Sequence, residues 1–273
     1  MNDPDDREQL DRVRERFTRT AGAFADFSLS VRSAEAERLA SLAAPLVTEV
    51  ALDLACGPGT FARAFARRVR WICGLDLTPA LLALALHAAA GDNLVNLNLV
   101  CGNAHSLPFV AGAFDLASCG YSLHHMTEPA AALAELARVT RPGGRVALLD
   151  LIAPEESPRA ELNNRIERAR DASHVTTLAA SEFAGLVKAA GFRVTRREIE
   201  ERRRSFDDWM RVGGWKPGDP AYAEVRQLME ASIEDDSAGF HPRMSGAAAA
   251  GAAQGAPELE FVQTSLYIIA ERR

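Results

Sequence analysis

The most informative segment of this chain is Val50-Ala51-Leu52-Asp53-Leu54-Ala55-Cys56-Gly57-Pro58-Gly59. Its first five residues form a short, mostly apolar run, which predicts a buried strand. The two glycines that follow predict a tight turn that a ligand can approach closely, because glycine carries no Cβ. A helix is predicted over 61–68, and its N-terminus adds free backbone N–H groups to the turn. The segment therefore predicts a strand–turn–helix unit with a binding site at its tip.

The same alternation of strands and helices continues along the chain. Further strands are predicted at 71–75, 98–101, 114–118 and 145–151, with helices at 78–90 and 127–141. Strands and helices that alternate at this spacing form a parallel sheet covered on both faces. Beyond residue 151 we predict helices at 157–170 and 181–190, a strand at 192–199, helical structure over 206–236 and a last strand at 264–270. The sequence thus predicts an α/β fold with a doubly wound, mostly parallel, seven-stranded sheet.

Two regions flank this core and are expected to cover the site. Apolar residues near the N-terminus recur at three- and four-residue steps, which predicts an amphipathic helix; they are Leu10, Val13, Phe17, Ala21 and Phe24. A second helix is predicted over 34–44, and the alanine- and glycine-rich segment 246–255 predicts a mobile loop. We therefore divide the chain into an N-terminal helical cover (1–45), a core (46–200), a helical insert with the mobile loop over the pocket (201–260) and the last core strand (261–273).

Composition and charge limit the partners of the protein. The 273 residues carry a formal net charge of −6, which disfavours nucleic acid as a partner. No apolar run approaches the roughly 20 residues that span a bilayer, and the polar, acidic opening residues do not resemble a secretory leader. The cysteines lack the spacing of zinc or disulfide sites, so we expect buried reduced thiols; they are Cys56, Cys73, Cys101 and Cys119. We expect a cytoplasmic protein without a metal, either a monomer or a homodimer.

Taken alone, the glycine turn fits more than one class of ligand. The segment Gly57–Ala62 matches the G-x-G-x-x-A pattern of proteins that bind nicotinamide dinucleotides. Asp76, at the end of the second predicted strand, is an acceptor suited to both hydroxyls of a ribose, although an acid at a strand end is also common as a solvated loop residue. These residues by themselves leave a nicotinamide-dependent dehydrogenase open.

Five segments, taken in order, resemble the class I S-adenosylmethionine-dependent methyltransferases. Asp53-x-Ala55-x-Gly57-x-Gly59 is similar to their D/E-x-G-x-G-x-G turn, with Ala55 in the first glycine position. The other four segments are Gly102–Phe109, which looks like G-D-A-x-x-L-P-F, then Phe114-Asp115-Leu116, Leu123-His124-His125 and Arg138–Gly144. Their order resembles the branch of ubiquinone and menaquinone C-methyltransferases (methyltransferase type 11). A dehydrogenase leaves the last two segments unexplained, so we disfavour it.

This resemblance is close over 50–151 and looser over Arg16–Ala21 and Arg170–Val175. It implies a Rossmann-like fold and S-adenosyl-L-methionine as cofactor. Gly57 and Gly59 would then line the methionine part, and Asp53 would hold the turn and reach the amino group through water.

The ribose and adenine contacts follow from the same resemblance. Asp76, next to Leu77, would take the ribose hydroxyls, while Asn103 and Ala104 would edge the adenine; Ala55 and Gly120 complete the implied cofactor contacts. The family usually has Asp where Asn103 stands. The amide oxygen of Asn103 can still accept from the adenine amino group, but without charge assistance.

Methyl transfer is a one-step displacement that chiefly requires alignment of the reactants and exclusion of water. A base is needed only if the acceptor must lose a proton. The candidates are Tyr121, His124, His125 and His174. We expect one of the two adjacent histidines to be a packed or capping residue, and His174 to be a hydrogen-bonded element that holds the cover.

The methyl acceptor is expected to be a small molecule (a quinone, aromatic, polyketide or other secondary metabolite) beneath the helical cover. Phe17, Phe24 and Trp209 are candidates for its wall, although such residues also pack as plain core. Arg203, within a run of three arginines, is either an anion-binding residue of this site or part of a solvated face. The acceptor atom stays open among oxygen, nitrogen and carbon. A protein that binds the same cofactor for a pericyclic ring closure or for regulation is the alternative.

Overall fold

The computed structural model describes residues 4–245 and 257–273, so the loop predicted at 246–255 lies outside the described residues. The helices are α1 (Pro4–Arg19), α2 (Ala21–Val31), α3 (Ser33–Ala43), α4 (Thr60–Ala66), α5 (Pro79–Gly91), α6 (Pro129–Val139), α7 (Ser157–Arg170), α8 (Ala180–Ala189), α9 (Phe206–Val212) and α10 (Pro220–Ala231). The strands are β1 (Val50–Leu54), β2 (Trp71–Asp76), β3 (Leu97–Cys101), β4 (Phe114–Gly120), β5 (Thr140–Leu151), β6 (Phe192–Ser205), β7 (Arg243–Ser245) and β8 (Glu258–Arg272).

One sheet unites these strands in the order β3-β2-β1-β4-β5-β8-β6. The first five pair in parallel, and β8 lies antiparallel between β5 and β6. Side chains alternate between two buried faces, so that Leu52 packs with α6 and α8 while Ala51 packs with α3 and α4. The predicted α/β fold with a mostly parallel, doubly wound sheet is confirmed. The short strand β7, which pairs with β8, adds an eighth strand that the sequence did not predict.

The strand order fixes where a ligand can bind. The chain proceeds from β1 outward to β2 and β3, then returns to place β4 on the opposite side of β1. In such sheets ligands bind beyond the carboxyl ends of the strands, at the point where the direction of winding changes. The loops after β1, β2 and β4 therefore meet at one edge of the sheet.

The two strands at the antiparallel end are longer than predicted. β6 was predicted to end at Ile199 but continues to Ser205, and β8 begins at Glu258 rather than at residue 264. Most of the extra residues of β6 are charged and carry no apolar signal, whereas cross-strand hydrogen bonds to β8 hold them extended. β6 consequently runs through residue 200, the predicted end of the core.

Three helical predictions also differ from the structure. The N-terminal helix is divided at Thr20 into α1 and α2, and helix α6 ends at Val139 because β5 begins at Thr140. The helical insert is divided into α9 and α10 by a turn that contains Gly214 (φ 90°) and Gly218 (φ 100°). Side chains with a Cβ are strained in that left-handed region, so Gly214 ends α9, while Gly218 lies in the turn just before α10.

Two expectations from composition can be compared with the structure. Cys56, Cys73 and Cys119 are buried free thiols as expected, but Cys101 is exposed because it ends β3 near the outer end of the sheet. Among the helices described, none combines the length and the apolar character that crossing a membrane requires.

Candidate functional site

The turn after β1 adopts the conformation that its glycines predict. Gly57 and Gly59 have φ values of 53° and 84°, and Ala55 also lies in the left-handed region at 52°. A Cβ at Gly59 would lie 3.0 Å from the Cβ of Ala85 on α5. Ala55 pays a conformational penalty, on the order of 1–2 kcal/mol, that a glycine would not. The position of Ala55 is thus one where the backbone favours the glycine of the family motif.

A cavity with an empty volume of about 920 Å³, called the first cavity below, opens at this turn. The residues predicted for the cofactor that border it are Ala55, Gly57, Asp76, Leu77, Asn103, Ala104 and Gly120. Asp53 and Gly59, which were predicted as cofactor contacts as well, do not border this cavity. The loops after β1, β2, β3 and β4 therefore converge on a single space, which α1 and α2 cover.

Asp76 links two of these loops. Its Oδ2 accepts the Gly57 N–H at 2.8 Å, and its Oδ1 accepts the Thr78 N–H at 2.8 Å. Burial raises the pKa of Asp76. A carboxylate has about four lone-pair sites, so Asp76 can still accept from donors inside the cavity.

Asp53 is a buried residue of β1, just before the turn. Its Oδ1 accepts the Ser118 hydroxyl at 2.7 Å, while its buried Oδ2 has no partner among the described residues. Burial raises the pKa of Asp53 to about 7. Its contacts hold β1 against β4 beneath the glycine turn.

The far end of the first cavity is formed by the loop after β3. The Asn103 Oδ1 accepts the His105 N–H at 2.9 Å, which fixes the amide and leaves one lone pair of this oxygen for a ligand. His105 Nδ1 lies 3.3 Å from Asp6 on α1, and its buried Nε2 has no partner among the described residues. This end therefore offers polar groups that a ligand can satisfy.

Hydrogen bonds hold helix α1 across the opening of the first cavity. The Gln9 amide donates to the carbonyl oxygens of His125 at 2.9 Å and Ser173 at 2.7 Å. Asp6 accepts the Thr127 hydroxyl at 2.9 Å. Both side chains border the first cavity, and sequence analysis missed them because their partners are more than 110 residues away.

Sequence analysis also missed Arg32, which lies between α2 and α3. Its guanidinium carbon is 3.7 Å from the centroid of the Tyr121 ring, and the side chain borders the first cavity and the second cavity described next. The side chain makes no hydrogen bond or ion pair with the described residues, and its Nε is buried. Burial lowers the pKa of Arg32, because Glu35 and Asp150 compensate the desolvation of its guanidinium only in part. No sequence motif marks this arginine as a site residue.

A second cavity, with an empty volume of about 530 Å³, adjoins the first. The residues that border both are Phe17, Phe24, Arg32, Tyr121 and His125. The second cavity also contains the predicted residues His124, His174 and Trp209. It is bounded by α1, α2, α7 and α9, so the N-terminal cover and the helical insert close it from two sides.

His125 is the only one of the three predicted histidines that borders both cavities. Its Nδ1 lies 3.0 Å from the Ser173 carbonyl oxygen, which can only accept, so Nδ1 carries the proton and Nε2 has a free lone pair. Burial and the neighbouring His124 lower the pKa of His125 to about 3. The imidazole is therefore neutral at physiological pH.

The other two histidines are held by hydrogen bonds. His124 Nδ1 lies 2.6 Å from Asp150 Oδ1, and His174 Nε2 donates to Asn164 Oδ1 at 3.0 Å. Burial lowers the pKa of His174 to about 2. Both contacts are of the structural kind expected for one histidine of the adjacent pair and for His174.

Tyr121 has little capacity to act as a base. Its hydroxyl lies 3.2 Å from Ser265 Oγ, and burial raises its pKa, so the phenol stays protonated near neutral pH. Its ring supports Arg32. Tyr121 adopts a left-handed φ of 55°, which turns the chain between β4 and the 3-10 turn Leu123–His125.

The predicted substrate residues divide into two groups. Phe17 and Phe24 form an edge-to-face pair with ring centroids 4.9 Å apart and border both cavities, while Trp209 borders the second cavity from α9. Arg203 is exposed on β6 and borders neither. It lies instead beside an outer cavity between α2 and α9, and its role in anion binding stays a prediction.

Comparisons with known proteins agree with this geometry. Residues 52–148 match a family model described as a methyltransferase domain. The chain is 32% identical over 185 residues to the uncharacterized methyltransferase YcgJ of Bacillus subtilis (strain 168), which covers 67% of this chain and 72% of YcgJ. It is 37% identical over 110 residues to a 2-phytyl-1,4-naphtoquinone methyltransferase of Thermosynechococcus vestitus, or 39% of this chain and 48% of that protein.

Solved structures show the same relationship. The crystal structure of YcgJ aligns with a TM-score of 0.78 at 25% identity, over 88% of this chain and 99% of YcgJ. The [4+2]-cyclase SpnF shares the fold, with a TM-score of 0.58 at 20% identity over 86% of this chain and 81% of SpnF. Because sequence and fold agree with YcgJ over most of both chains, the protein belongs to the class I methyltransferases.

Proposed function

We propose that the first cavity binds S-adenosylmethionine and that the protein transfers its methyl group to a small molecule in the second cavity. The observation that carries the proposal is the distribution of polar groups around the first cavity. A carboxylate, Asp76, and an unpartnered guanidinium, Arg32, border one space beside the Gly57 turn. S-adenosylmethionine carries a ribose diol that suits the carboxylate and an amino-acid carboxylate that suits the guanidinium.

The residues at the ends of the first cavity fit the remaining parts of this cofactor. Asn103, Ala104 and the free Nε2 of His105 border the space that an adenine would take. Arg32 would pair with the carboxylate of the methionine part, and this pairing would compensate a cation that is otherwise costly to bury. The turn at Gly57 would pass alongside that part because no side chain obstructs it.

S-adenosylmethionine supplies an electrophilic methyl group on a sulfonium. The protein contributes a dry, shaped space in which the acceptor faces that methyl group, and such alignment can supply up to roughly 7–11 kcal/mol of the barrier. Helix α1 excludes water through the Gln9 contacts. His125 lies at the boundary between the cavities, where its Nε2 can accept a hydrogen bond from the reacting group. A pKa of about 3 makes His125 a weak base, so its proposed role is to orient the acceptor.

Binding of S-adenosylhomocysteine, the demethylated cofactor, tests the site by titration calorimetry. We expect Asp76→Ala to weaken binding by about 1.5–3 kcal/mol, the scale of a hydrogen bond to a charged group. Asp235→Ala, which removes an exposed acid outside both cavities, is the matched control and should bind as the parent does. A parent that does not bind the ligand, or an Asp76→Ala variant with parental affinity, would overturn the assignment.

The proposed role of Arg32 predicts a difference between two ligands. Arg32→Met keeps an unbranched side chain and removes the charged guanidinium, so it should weaken S-adenosylhomocysteine binding at least tenfold. 5′-Methylthioadenosine lacks the amino-acid group and should bind parent and variant equally. Equal losses for both ligands would show that Arg32 supports the fold of the cavity and does not hold the carboxylate.

A non-methylating use of the same cofactor site is the second candidate, because the [4+2]-cyclase SpnF has this fold. Incubation of the protein and methyl-labelled S-adenosylmethionine with a cell extract distinguishes methyl transfer from a non-methylating function. A labelled small molecule supports transfer. A changed but unlabelled product supports the alternative.

A further inference from the structure

Glu167, on the inner face of α7, is a buried carboxylate that the proposed chemistry does not use. Its side chain is 3% exposed and borders the second cavity but not the first. It therefore lies on the wall of the second cavity that is away from the proposed cofactor site. Burying a carboxylate is costly unless its oxygens are compensated.

The compensation of Glu167 is incomplete. Its single partner among the described residues is Arg170 Nη1, at a long 3.5 Å from Oε2. Arg170 is engaged elsewhere, because its Nε donates to the Trp209 carbonyl at 3.2 Å and its guanidinium stacks 4.5 Å from the Trp209 ring. The Oε1 atom of Glu167 makes no hydrogen bond with the described residues. Burial raises the pKa of Glu167, as expected for a carboxylate that lacks partners.

Other polar atoms around the second cavity also lack partners among the described residues, and apart from the Arg32 guanidinium, which the carboxylate of the proposed cofactor would pair, most of them accept hydrogen bonds. His125 presents the lone pair of Nε2, as its Nδ1 donates to Ser173. His174 presents the lone pair of Nδ1, since its Nε2 donates to Asn164. Gln263 borders the cavity from β8, and its amide makes no hydrogen bond with the described residues. A wall rich in acceptors is complementary to a ligand that donates hydrogen bonds.

The positive charges around the second cavity favour some hydrogen-bond donors of a ligand over others. Arg16 is paired with Asp171 at 2.8 Å and lies 4.3 Å from the Phe17 ring centroid, and Arg170 covers the Trp209 ring. Arg32 covers the Tyr121 ring as well, so three ring faces around this cavity are already occupied by guanidinium groups. A further cation would be repelled by them, so a neutral hydroxyl is favoured over an ammonium group.

We propose that Glu167 is a specificity-determining residue of the acceptor site, whose free oxygen accepts a hydrogen bond from a hydroxyl group of the methyl acceptor. This inference rests on the proposed function, because it takes the second cavity as the acceptor site. A site built to bind a hydroxyl rejects an analogue that lacks one, since the buried carboxylate is then left without a partner. The acceptor class is thus a molecule that carries a neutral hydroxyl group distant from the methylated atom.

Two probes of nearly the same shape test the proposal. 4-Propylphenol donates a hydrogen bond and 4-propylanisole does not. Their dissociation constants are measured by ligand-observed NMR titration of the full chain saturated with S-adenosylhomocysteine. We expect the parent to prefer the phenol at least tenfold. In Glu167→Gln, which keeps the size and an amide oxygen for Arg170, this preference should fall to less than threefold.

The control is Glu161→Gln on the exposed side of the same helix, which should keep the parental preference. General damage to the cavity would weaken both probes in parallel and leave their ratio unchanged, and that result overturns the role of Glu167. Equal binding of the two probes by the parent, or no binding of the phenol, overturns it as well. In each of these cases bound S-adenosylhomocysteine shows that the proposed cofactor site stands, whereas a parent that fails to bind it removes both proposals.

Discussion

At the scale of single residues, His174 shows how burial couples the fold to pH. Its pKa is lowered from 6.5 to about 2 by burial, so the native protein holds it neutral. The unfolded chain binds a proton at His174 as the pH falls through 6.5, and the native state does not follow until about pH 2. The stability that depends on a neutral His174 is therefore present above pH 6.5 and is lost as the pH falls below it.

Replacement of His174 by Gln removes this titration and keeps an amide that can donate to Asn164. We expect the free energy of unfolding of the parent to fall between pH 8 and pH 5 by about 2 kcal/mol more than that of His174→Gln. Urea unfolding at the two pH values measures the difference. His87→Gln, at an exposed position on α5, should retain the loss seen in the parent. Equal losses in the parent and His174→Gln would contradict a buried neutral histidine.

Residues in contiguous motifs were predictable, and those that depend on distant contacts were not. Gly57, Asp76 and Asn103 each follow a core strand, so the sequence placed them at the same edge of the sheet. The roles proposed for Arg32 and Glu167 rest on how few partners their side chains have among the described residues, a property that only the folded arrangement reveals. Asp53 does not border the first cavity and is bonded to Ser118 on β4, so its role in holding the turn and reaching the amino group stays a prediction.

At the scale of elements, α1 serves both cavities with one set of contacts. Gln9 donates hydrogen bonds to the segments that carry His125 and His174. Phe17, further along the same helix, borders both cavities. The break at Thr20 lets α2 turn so that Phe24 packs against Phe17, and Phe24 and Arg32 also border both cavities. The cover is thus built from two short helices rather than the single long helix that the apolar stripe suggested.

Removal of the Gln9 amide should loosen α1. In Gln9→Ala two hydrogen bonds of about 1 kcal/mol each are lost, so S-adenosylhomocysteine should bind about five- to thirtyfold more weakly. Amide hydrogen exchange in α1 should be faster with the ligand bound. Glu15→Ala, on the exposed face of the same helix, should change neither quantity. Unchanged affinity in Gln9→Ala would show that α1 does not contribute to ligand retention.

At the scale of the whole molecule, the core and the cover differ in how well sequence predicts them. The parallel strands are continuous apolar runs because helices bury both of their faces, so β1, β2 and β4 were predicted nearly to the residue. The charged strand β6 has no such signal, since its conformation is imposed by pairing with β8. The second cavity forms where α1, α2, α7 and α9 meet, and no local pattern predicts that arrangement.

The position of β8 has a consequence for how the protein is made. Arg145 of β5 pairs with Glu271, and Phe192 of β6 pairs with Arg272, so β8, which is synthesised after both of these strands, inserts between them. Until then β5 is an unprotected edge, open to association with other nascent chains. Gln263 of β8 also borders the second cavity, so the strand that protects this edge completes the wall of the pocket as well.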